Sequence, residues 1–194
     1  MEFEYHLTVQ DIEETDRQAF VDFCKSLSVK PLLIVLDKGN YISQPMCTGV
    51  IRDVDFPRAN QEIDKMITLF EEKGYKMMRK KIETSPHEEH YFNQPPQQLF
   101  KPYFEWHGKI EVEDVERVKK LCEGLGGHLS RNSLNANGKV RFITVREYTS
   151  KPKFYARVQD IHAILQVNHI DIIKQQHELC IYDSRVELDR GWVT

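Results

Sequence analysis

Two histidines stand at matching places in two similar segments of the chain. The first segment reads Phe3-Glu4-Tyr5-His6-Leu7-Thr8-Val9, and the second reads Phe104-Glu105-Trp106-His107-Gly108-Lys109-Ile110. Both alternate apolar and polar residues with a period of two, which predicts half-buried β-strands. Imidazole titrates near neutral pH and can act as a general acid or a general base. His6 and His107 are therefore the first candidates for catalysis.

Polar side chains next to these histidines share a strand face with them. Every second residue of a strand points to the same side, so the polar rows of both segments project away from the apolar rows. If the two polar faces approach one another, they line a central cleft. Ordinary solvent-facing strand residues have the same pattern, and that alternative stays open. The residues placed in the cleft are Glu4, His6, Thr8, Glu105, His107 and Lys109.

Basic and hydroxyl side chains of later segments are candidate anion contacts. Arginine recognises carboxylate and phosphate through paired hydrogen bonds, and a hydroxyl donates to developing charge on a phosphoryl group. Arg79, Lys80 and Lys81 are further basic residues that can join this surface, and His128 is a third candidate acid or base. Together they predict a site for a phosphorylated or otherwise anionic small molecule, although solubilising surface charge is the alternative for any one of them. The candidate substrate contacts are Thr8, Lys109, Ser130, Arg131, Arg141, Thr144 and Arg146.

The tetrapeptide His6-Leu7-Thr8-Val9 has the pattern histidine, apolar, serine or threonine, apolar. In this the chain resembles the two-histidine phosphoesterases, which are internally duplicated α+β proteins with one such tetrapeptide in each half. The resemblance implies hydrolysis of a phosphodiester or cyclic phosphate, with His6 as acid or base and Thr8 as a phosphate donor. His107-Gly108-Lys109-Ile110 stands at the equivalent place but departs from the pattern, whereas His128-Leu129-Ser130 keeps its first three positions elsewhere. The partner of His6 is therefore either His107 or His128.

Three other interpretations stay open. The carboxylates and imidazoles of Glu4, His6, Glu105 and His107 suit a divalent metal ion, whereas the hydrolytic interpretation requires no cofactor. The stretch Glu2-x-Glu4-x-His6 is similar to the Glu-x-Glu-x-Lys of the triphosphate tunnel family, in which alternating Lys, Arg and Glu line a barrel. The third interpretation is a non-catalytic binding or assembly module, whose open sheets pack on a partner or on a second copy of the chain.

Composition narrows the partners and the compartment. The chain has 194 residues and a formal net charge of −3, with 40% hydrophobic and 29% charged residues, which is normal for a globular protein with a core. This charge does not indicate nucleic acid as a general partner, and no apolar run is long enough to span a membrane. The acidic start lacks the features of a signal peptide, and four scattered cysteines are typical of reduced thiols. We therefore expect a cytoplasmic protein, for which a homo-oligomer is possible.

Each half of the chain predicts the same order of elements. A strand is followed by an amphipathic helix, two strands, a second helix and a closing strand, which is the order of the ferredoxin-like unit. We therefore expect an α+β fold made by tandem duplication of a ferredoxin-like βαββαβ half, with antiparallel sheets that carry helices on one face. Besides the two opening strands, we expect strands at 32–36, 46–51 and 75–83, and at 128–134, 140–145 and 177–182.

The boundaries follow from this repeat. Residues 1-83 form the first half, residues 103-184 form the second, and together they form one compact pseudo-twofold unit. Residues 84-102 contain four prolines, a density that prevents regular structure and predicts a connector. Residues 185-194 form a polar C-terminal tail in which Trp192 docks on the body of the protein.

Overall fold

The structure is a computed structural model and describes residues 1–94, 100–135 and 137–193. Its strands are β1 Glu2–Val9, β2 Lys30–Leu36, β3 Ser43–Arg52, β4 Met77–Thr84, β5 Tyr103–Glu111, β6 Gly127–Asn132, β7 Val140–Glu147 and β8 Ile172–Asp183. They form one closed antiparallel barrel in the order β1-β3-β2-β6-β7-β5-β8-β4, and β4 pairs back to β1.

In the described part of the chain, two α-helices lie between the strands of each half, and a short fifth one lies between the halves. They are α1 Arg17–Ser26, α2 Phe56–Glu72, α3 His90–Asn93, α4 Val115–Glu123 and α5 Lys151–Val167. The long helix α2 begins at Asp55, whose side chain accepts a hydrogen bond of 2.9 Å from the backbone N–H of Arg58, and a proline occupies its first turn. Ser150 caps α5 in the same way. Among the described residues, none of these helices is both long enough and apolar enough to cross a bilayer.

The sheet closes, so the prediction of antiparallel sheets with helices on one face and the other face open is wrong. The α+β composition is confirmed, and each half has the order β-α-β-β-α-β. However, the edge strands of one half pair with the edge strands of the other, β2 with β6 and β4 with β8. An edge strand presents unpaired N–H and C=O groups, and pairing each edge with its counterpart satisfies them. The inner faces of both halves therefore enclose a common interior.

The apolar core lies outside the barrel, between the strands and the helices. Phe3 of β1 is fully buried and packs edge-on against Phe56 of α2, with ring centroids 6.0 Å apart. Phe104, at the start of β5, stacks on Phe154 of α5 at 5.5 Å. Because side chains alternate along a strand, the residues next to Phe3 on β1 and next to Phe104 on β5 point into the barrel.

The strand registers define which positions of the two halves are equivalent. His6 on β1 lies opposite Thr48 of β3 and Lys81 of β4. His107 on β5 lies opposite Thr144 of β7 and Gln176 of β8. One step along the same strands, Glu4 faces Glu83, and Glu105 faces Glu178. With His6 equivalent to His107, the registers also make Thr48 equivalent to Thr144, Lys81 to Gln176, and Glu83 to Glu178.

Part of the segment between the halves is regular, contrary to the expectation for 84–102. Strand β4 extends to Thr84, and His90–Asn93 forms one helical turn. The turn is possible because these four residues are not prolines and keep their N–H groups. Phe92 anchors the turn by packing on Phe104, with ring centroids 4.6 Å apart. The prolines at 95 and 96 lie outside the described residues.

Candidate functional site

The interior of the barrel contains a cavity of about 330 Å³ with two unlike walls. The neighbouring strands β1, β4, β8 and β5 supply a polar wall, which includes both histidines. The strands β2, β3, β6 and β7 supply a mixed wall, which contains five apolar side chains as well as polar ones such as Gln44, Thr48 and Ser130. Its apolar side chains are Leu32, Ile34, Leu36, Met46 and Phe142.

Burial distinguishes the two ends of this cavity. At one end, Lys30 and Lys174 are exposed to solvent. At the other end, the C-terminal segment folds over the barrel, and its buried Trp192 donates a hydrogen bond of 2.8 Å from Nε1 to the carbonyl oxygen of Leu129. Asp189 of the same segment is also buried and lines the cavity. The cavity is therefore open at the lysine end and covered at the other end.

Both ring nitrogens of His6 already have partners. Nδ1 lies 2.7 Å from Oγ1 of Thr48, and Nε2 lies 2.8 Å from Oε2 of Glu83. Only 17% of this side chain is exposed. A carboxylate on one nitrogen and a hydroxyl on the other fix the orientation of the ring. His6 can therefore contact a ligand only by exchanging one of these hydrogen bonds.

His107 is more accessible than its counterpart. Its Nδ1 lies 2.9 Å from Oγ1 of Thr144, which matches the contact of His6 with Thr48. Its Nε2 lies 3.2 Å from Glu105 and 3.6 Å from Glu178, and 32% of the side chain is exposed. Of the two histidines, His107 is thus the better placed to exchange a proton with a molecule in the cavity.

Arginines from both halves are buried at the covered end, and carboxylates neutralise them. Arg79 forms paired hydrogen bonds with Asp183 and with Asp189. Arg146 donates to Asp189 and to Glu105, each at 2.8 Å. Burial alone raises the pKa of Asp189, but the charges of Arg79 and Arg146 outweigh burial and lower that pKa to about 2. Asp189 is therefore ionised and holds the two guanidinium groups together.

Lys81 has a similar role in the middle of the polar wall. Its buried ammonium pairs with Glu83 at 2.6 Å and also with Glu105. Burial raises the pKa of Glu83, but Lys81 first and His6 second lower it to about 2. For Glu105, Arg146 and Lys81 outweigh burial, and the pKa lies well below its usual range. Both glutamates therefore carry a negative charge that a cation balances.

Glu178 lacks such a partner. Its side chain is buried, with 5% of the residue exposed, and it pairs with no lysine or arginine of the described chain. Oε1 accepts a hydrogen bond of 2.6 Å from the neutral amide of Gln176. Burial raises the pKa of Glu178 well above its usual range, and Glu83 raises it further.

The structure brings most of the predicted site residues into one cavity and leaves five outside. One of them is Lys80, whose ammonium donates a hydrogen bond to Asp64 of α2. His128 is buried beside Trp192, with ring centroids 6.3 Å apart, and burial lowers its pKa. Arg131 is exposed, Arg141 donates hydrogen bonds to the carbonyl oxygens of Gly138 and Val140, and Lys109 is half-buried away from the cavity lining. The predicted residues that line the cavity are Glu4, His6, Thr8, Arg79, Lys81, Glu105, His107, Ser130, Thr144 and Arg146.

The predicted metal ligands separate into two groups. Glu4 and His6 lie together with Glu178, with one ligand atom of each within 4.8 Å of the others. Glu105 instead pairs with Lys81 and Arg146, so its oxygens are already neutralised. The four predicted ligands therefore do not form one group. Glu4 and His6 instead form a group of three with Glu178, which was not among the predicted ligands.

Sequence reasoning missed several residues of the site. Glu83, Gln176 and Glu178 lie on the closing strands of the two halves, and Asp189 lies in the C-terminal segment. The alternation in Lys81-Ile82-Glu83 is a short signal that could have placed Glu83 on the same face as Lys81, although Lys80 interrupts the pattern before it. No comparable pattern precedes Asp189, because it reaches the barrel from a turn of 3-10 helix at Val186–Asp189.

Comparisons with known proteins assign no family. No protein-family model matches the chain, and no curated protein matches it. One similar solved structure is the acetolactate synthase small subunit from Thermotoga maritima, at 10% identity over 94% of this chain and 96% of that chain, with a TM-score of 0.32. Another is the ligand-free regulatory subunit of aspartate kinase from Thermus thermophilus, at 10% identity over 84% of this chain and 92% of that chain, with a TM-score of 0.34.

Proposed function

We propose that this protein binds a small amphipathic molecule inside the barrel. One observation carries the proposal: histidines from equivalent positions of both halves face a single cavity of about 330 Å³ whose opposite wall contains five apolar side chains. Ligand sites commonly combine a large apolar surface with a few convergent polar groups that fix orientation. The apolar part of the ligand packs on Leu32, Ile34 and Phe142, and its polar end contacts His107 and Thr144.

The charges in the buried part of the cavity favour a ligand whose polar end is neutral or cationic, whereas the exposed Lys30 and Lys174 lie at its open end. The buried cations are Arg79, Lys81 and Arg146, and each pairs with carboxylates. An anionic group would have to displace one of those carboxylates, which would leave it buried without its partner. Of the remaining acidic groups of the lining, Glu4 pairs with no lysine or arginine of the described chain, and burial raises the pKa of Glu178 so that its neutral form is favoured. An anionic substrate remains a prediction from the sequence, and hydrolysis of a phosphodiester remains one with it.

His107 is the group that gives this site a chemical role beyond binding. Its Nε2 lies beside Glu105, while Thr144 holds Nδ1, so the ring is oriented with one nitrogen near the cavity. A histidine held in this way can donate a proton to a ligand or accept one from it. The proposed function is therefore small-molecule binding, with proton exchange at His107.

Two fluorescent probes with the same ring system test the proposal. N-phenyl-1-naphthylamine is neutral, whereas 1-anilinonaphthalene-8-sulfonate carries a sulfonate on the same skeleton. We expect saturable binding of the neutral probe with enhanced fluorescence, and weaker binding of the sulfonate. The variant Ile34→Phe fills the apolar wall and is expected to lower the affinity at least tenfold. Ile42→Phe makes the same change at an exposed position and serves as the control.

The same titrations can contradict the proposal. Absence of saturable binding of the neutral probe, or unchanged binding by Ile34→Phe, would show that the cavity is not the site. Tighter binding of the sulfonate that Ile34→Phe abolishes would instead support an anionic ligand. His107→Asn, compared with the wild type in both titrations, reports whether the imidazole contacts the probe.

A further inference from the structure

Lys81 links two glutamates across the polar wall of the barrel. Its position on β4 is opposite His6, and its ammonium lies between the carboxylates of Glu83 and Glu105. Because an ionised carboxylate loses its hydration on burial, each of these glutamates needs a nearby positive charge. One lysine supplies that charge to both.

The equivalent position in the other half holds Gln176. It lies opposite His107 on β8, and its amide Nε2 donates hydrogen bonds of 2.8 Å to Glu4 and 2.6 Å to Glu178. Gln176 thus links a second pair of glutamates with the same geometry that Lys81 uses, but an amide carries no charge. This pair of carboxylates lacks the cation that its counterpart has.

We propose that Glu4, His6 and Glu178 bind a divalent metal ion, of the type of Mn²⁺ or Zn²⁺. One ligand atom of each residue lies within 4.8 Å of the others, a separation that a shared ion can bridge after small side-chain movements. Two carboxylates and one imidazole are ligands that such ions accept. The ion would supply the positive charge that Gln176 does not.

The surroundings of His6 support a role as a ligand. When Nε2 of a histidine binds a metal, the other ring nitrogen usually donates to a neighbouring oxygen that fixes the ring. In this barrel Nδ1 of His6 lies 2.7 Å from Oγ1 of Thr48, which can accept that hydrogen bond. Nε2 would exchange its hydrogen bond with Glu83 for the ion, and Glu83 would keep its ion pair with Lys81.

A second feature of the same strand face points to a ligand in this region. Thr8 follows His6 on the inner face of β1, and only 3% of the residue is exposed. Its hydroxyl has no hydrogen-bond partner within the part of the chain that the structure describes. Buried hydroxyl groups usually have a partner, and a water or a ligand oxygen in the cavity would provide one. The metal site goes beyond the proposed function, since it requires no organic ligand.

Isothermal titration of chelator-treated protein with MnCl₂ and with ZnCl₂ tests the site. We expect one ion to bind per chain. Glu178→Gln removes a ligand and is expected to weaken binding at least tenfold. Gln176→Lys places an ammonium where Lys81 has one in the other half, so it should exclude the ion without loss of folding. Glu2→Gln makes the matched change at an exposed position of β1 and should bind as the wild type does.

Two results would overturn the metal site. One is the absence of saturable binding of either ion to the wild type at millimolar concentration. The other is unchanged affinity in folded Glu178→Gln and Gln176→Lys. If the variants do not fold, as judged by circular dichroism, a CoCl₂ titration of the wild type decides instead: visible absorption bands that saturate and disappear on addition of Zn²⁺ support the site, and their absence excludes it. Binding of N-phenyl-1-naphthylamine to the metal-free samples is measured in parallel, so that failure of the proposed function is seen separately.

Discussion

Asp189 accepts a hydrogen bond of 2.8 Å on Oδ2 from Nη2 of Arg146, and this contact joins the C-terminal segment to the inside of the barrel. Arg79 donates to both oxygens of the same carboxylate. Since Arg79 lies on β4 and Arg146 on β7, one aspartate outside the eight strands holds together arginines from both halves. Covering of this end of the cavity therefore depends on buried charge as well as on the docked ring of Trp192.

Replacement of Asp189 should destabilise the whole barrel. Asp189→Asn leaves two buried guanidinium groups with fewer negative partners, and loss of one member of a buried ion pair typically costs about 3–5 kcal/mol. Urea unfolding followed by circular dichroism measures the change in free energy. Glu187→Gln is the control, because Glu187 pairs with Arg185 at the surface and such pairs contribute about 0–1 kcal/mol. Equal effects of the two substitutions would contradict the role given to Asp189.

The same carboxylate should make stability depend on acid pH. The pKa of Asp189 is lowered from 3.8 to about 2 in the folded protein, because Arg79 and Arg146 outweigh burial. A carboxyl with a lowered pKa contributes stability that is fully present above its unfolded pKa and is lost as the pH falls through its folded pKa. Between pH 5 and pH 3, the wild type should therefore lose about 1 kcal/mol more than Asp189→Asn loses. Parallel losses in urea titrations of both proteins would show that Asp189 is not the responsible group.

Local elements could be predicted from the sequence because their patterns are local. The strand expected at 32–36 is found at Lys30–Leu36, and the second helix expected in the first half is found at Phe56–Glu72. The closing strand expected at 177–182 begins earlier, at Ile172. Its first residues, Ile-Ile-Lys-Gln-Gln, do not alternate, so the period-two pattern does not predict them. Closure of the barrel has no local signal. It depends on pairing between β2 and β6, where Leu33 and Asn132 stand 99 residues apart.

The candidate site could likewise be predicted only in part from the sequence. Alternation along β1 and β5 predicts that His6 and His107 point away from the helices, and both line the cavity. Which charges neutralise one another cannot be predicted in that way, because the partners come from different strands. Arg146 was expected to contact an anionic substrate, whereas Glu105 and Asp189 already surround its guanidinium group. Partner choice of this kind requires the strand order as well as the strands.

Gly108 should be intolerant of a side chain. A Cβ atom added at this position would lie 2.2 Å from Cη2 of Trp106, whose ring covers the glycine along β5. The first tetrapeptide has Leu7 at the equivalent position, where the second has room for glycine only. Gly108→Ala is expected to lower the free energy of unfolding by about 1–3 kcal/mol through overpacking. Thermal and urea unfolding measure the loss.

Two comparisons separate this clash from a general effect of alanine. Gly124→Ala adds a Cβ that meets no atom within 4 Å, at a residue with helical backbone angles, so it should not destabilise the protein. Trp106→Phe shortens the ring over Gly108, and the double variant should lose less stability than the sum of the two single variants. Strict additivity would mean that the ring of Trp106 is not what excludes a side chain at Gly108.

Two glutamates that face each other across neighbouring strands should respond in opposite directions to the same substitution. Glu105 and Glu178 are paired in register between β5 and β8. Glu105 is balanced by Lys81 and Arg146, so Glu105→Gln should lower the free energy of unfolding by about 3–5 kcal/mol. Glu178 pairs with no lysine or arginine in the described ranges, so Glu178→Gln removes an unbalanced buried group and should raise stability by about 1 kcal/mol. Urea unfolding at neutral pH with a chelator present measures both changes, and destabilisation of similar size in both variants would show that Glu178 has a cation partner in the metal-free protein.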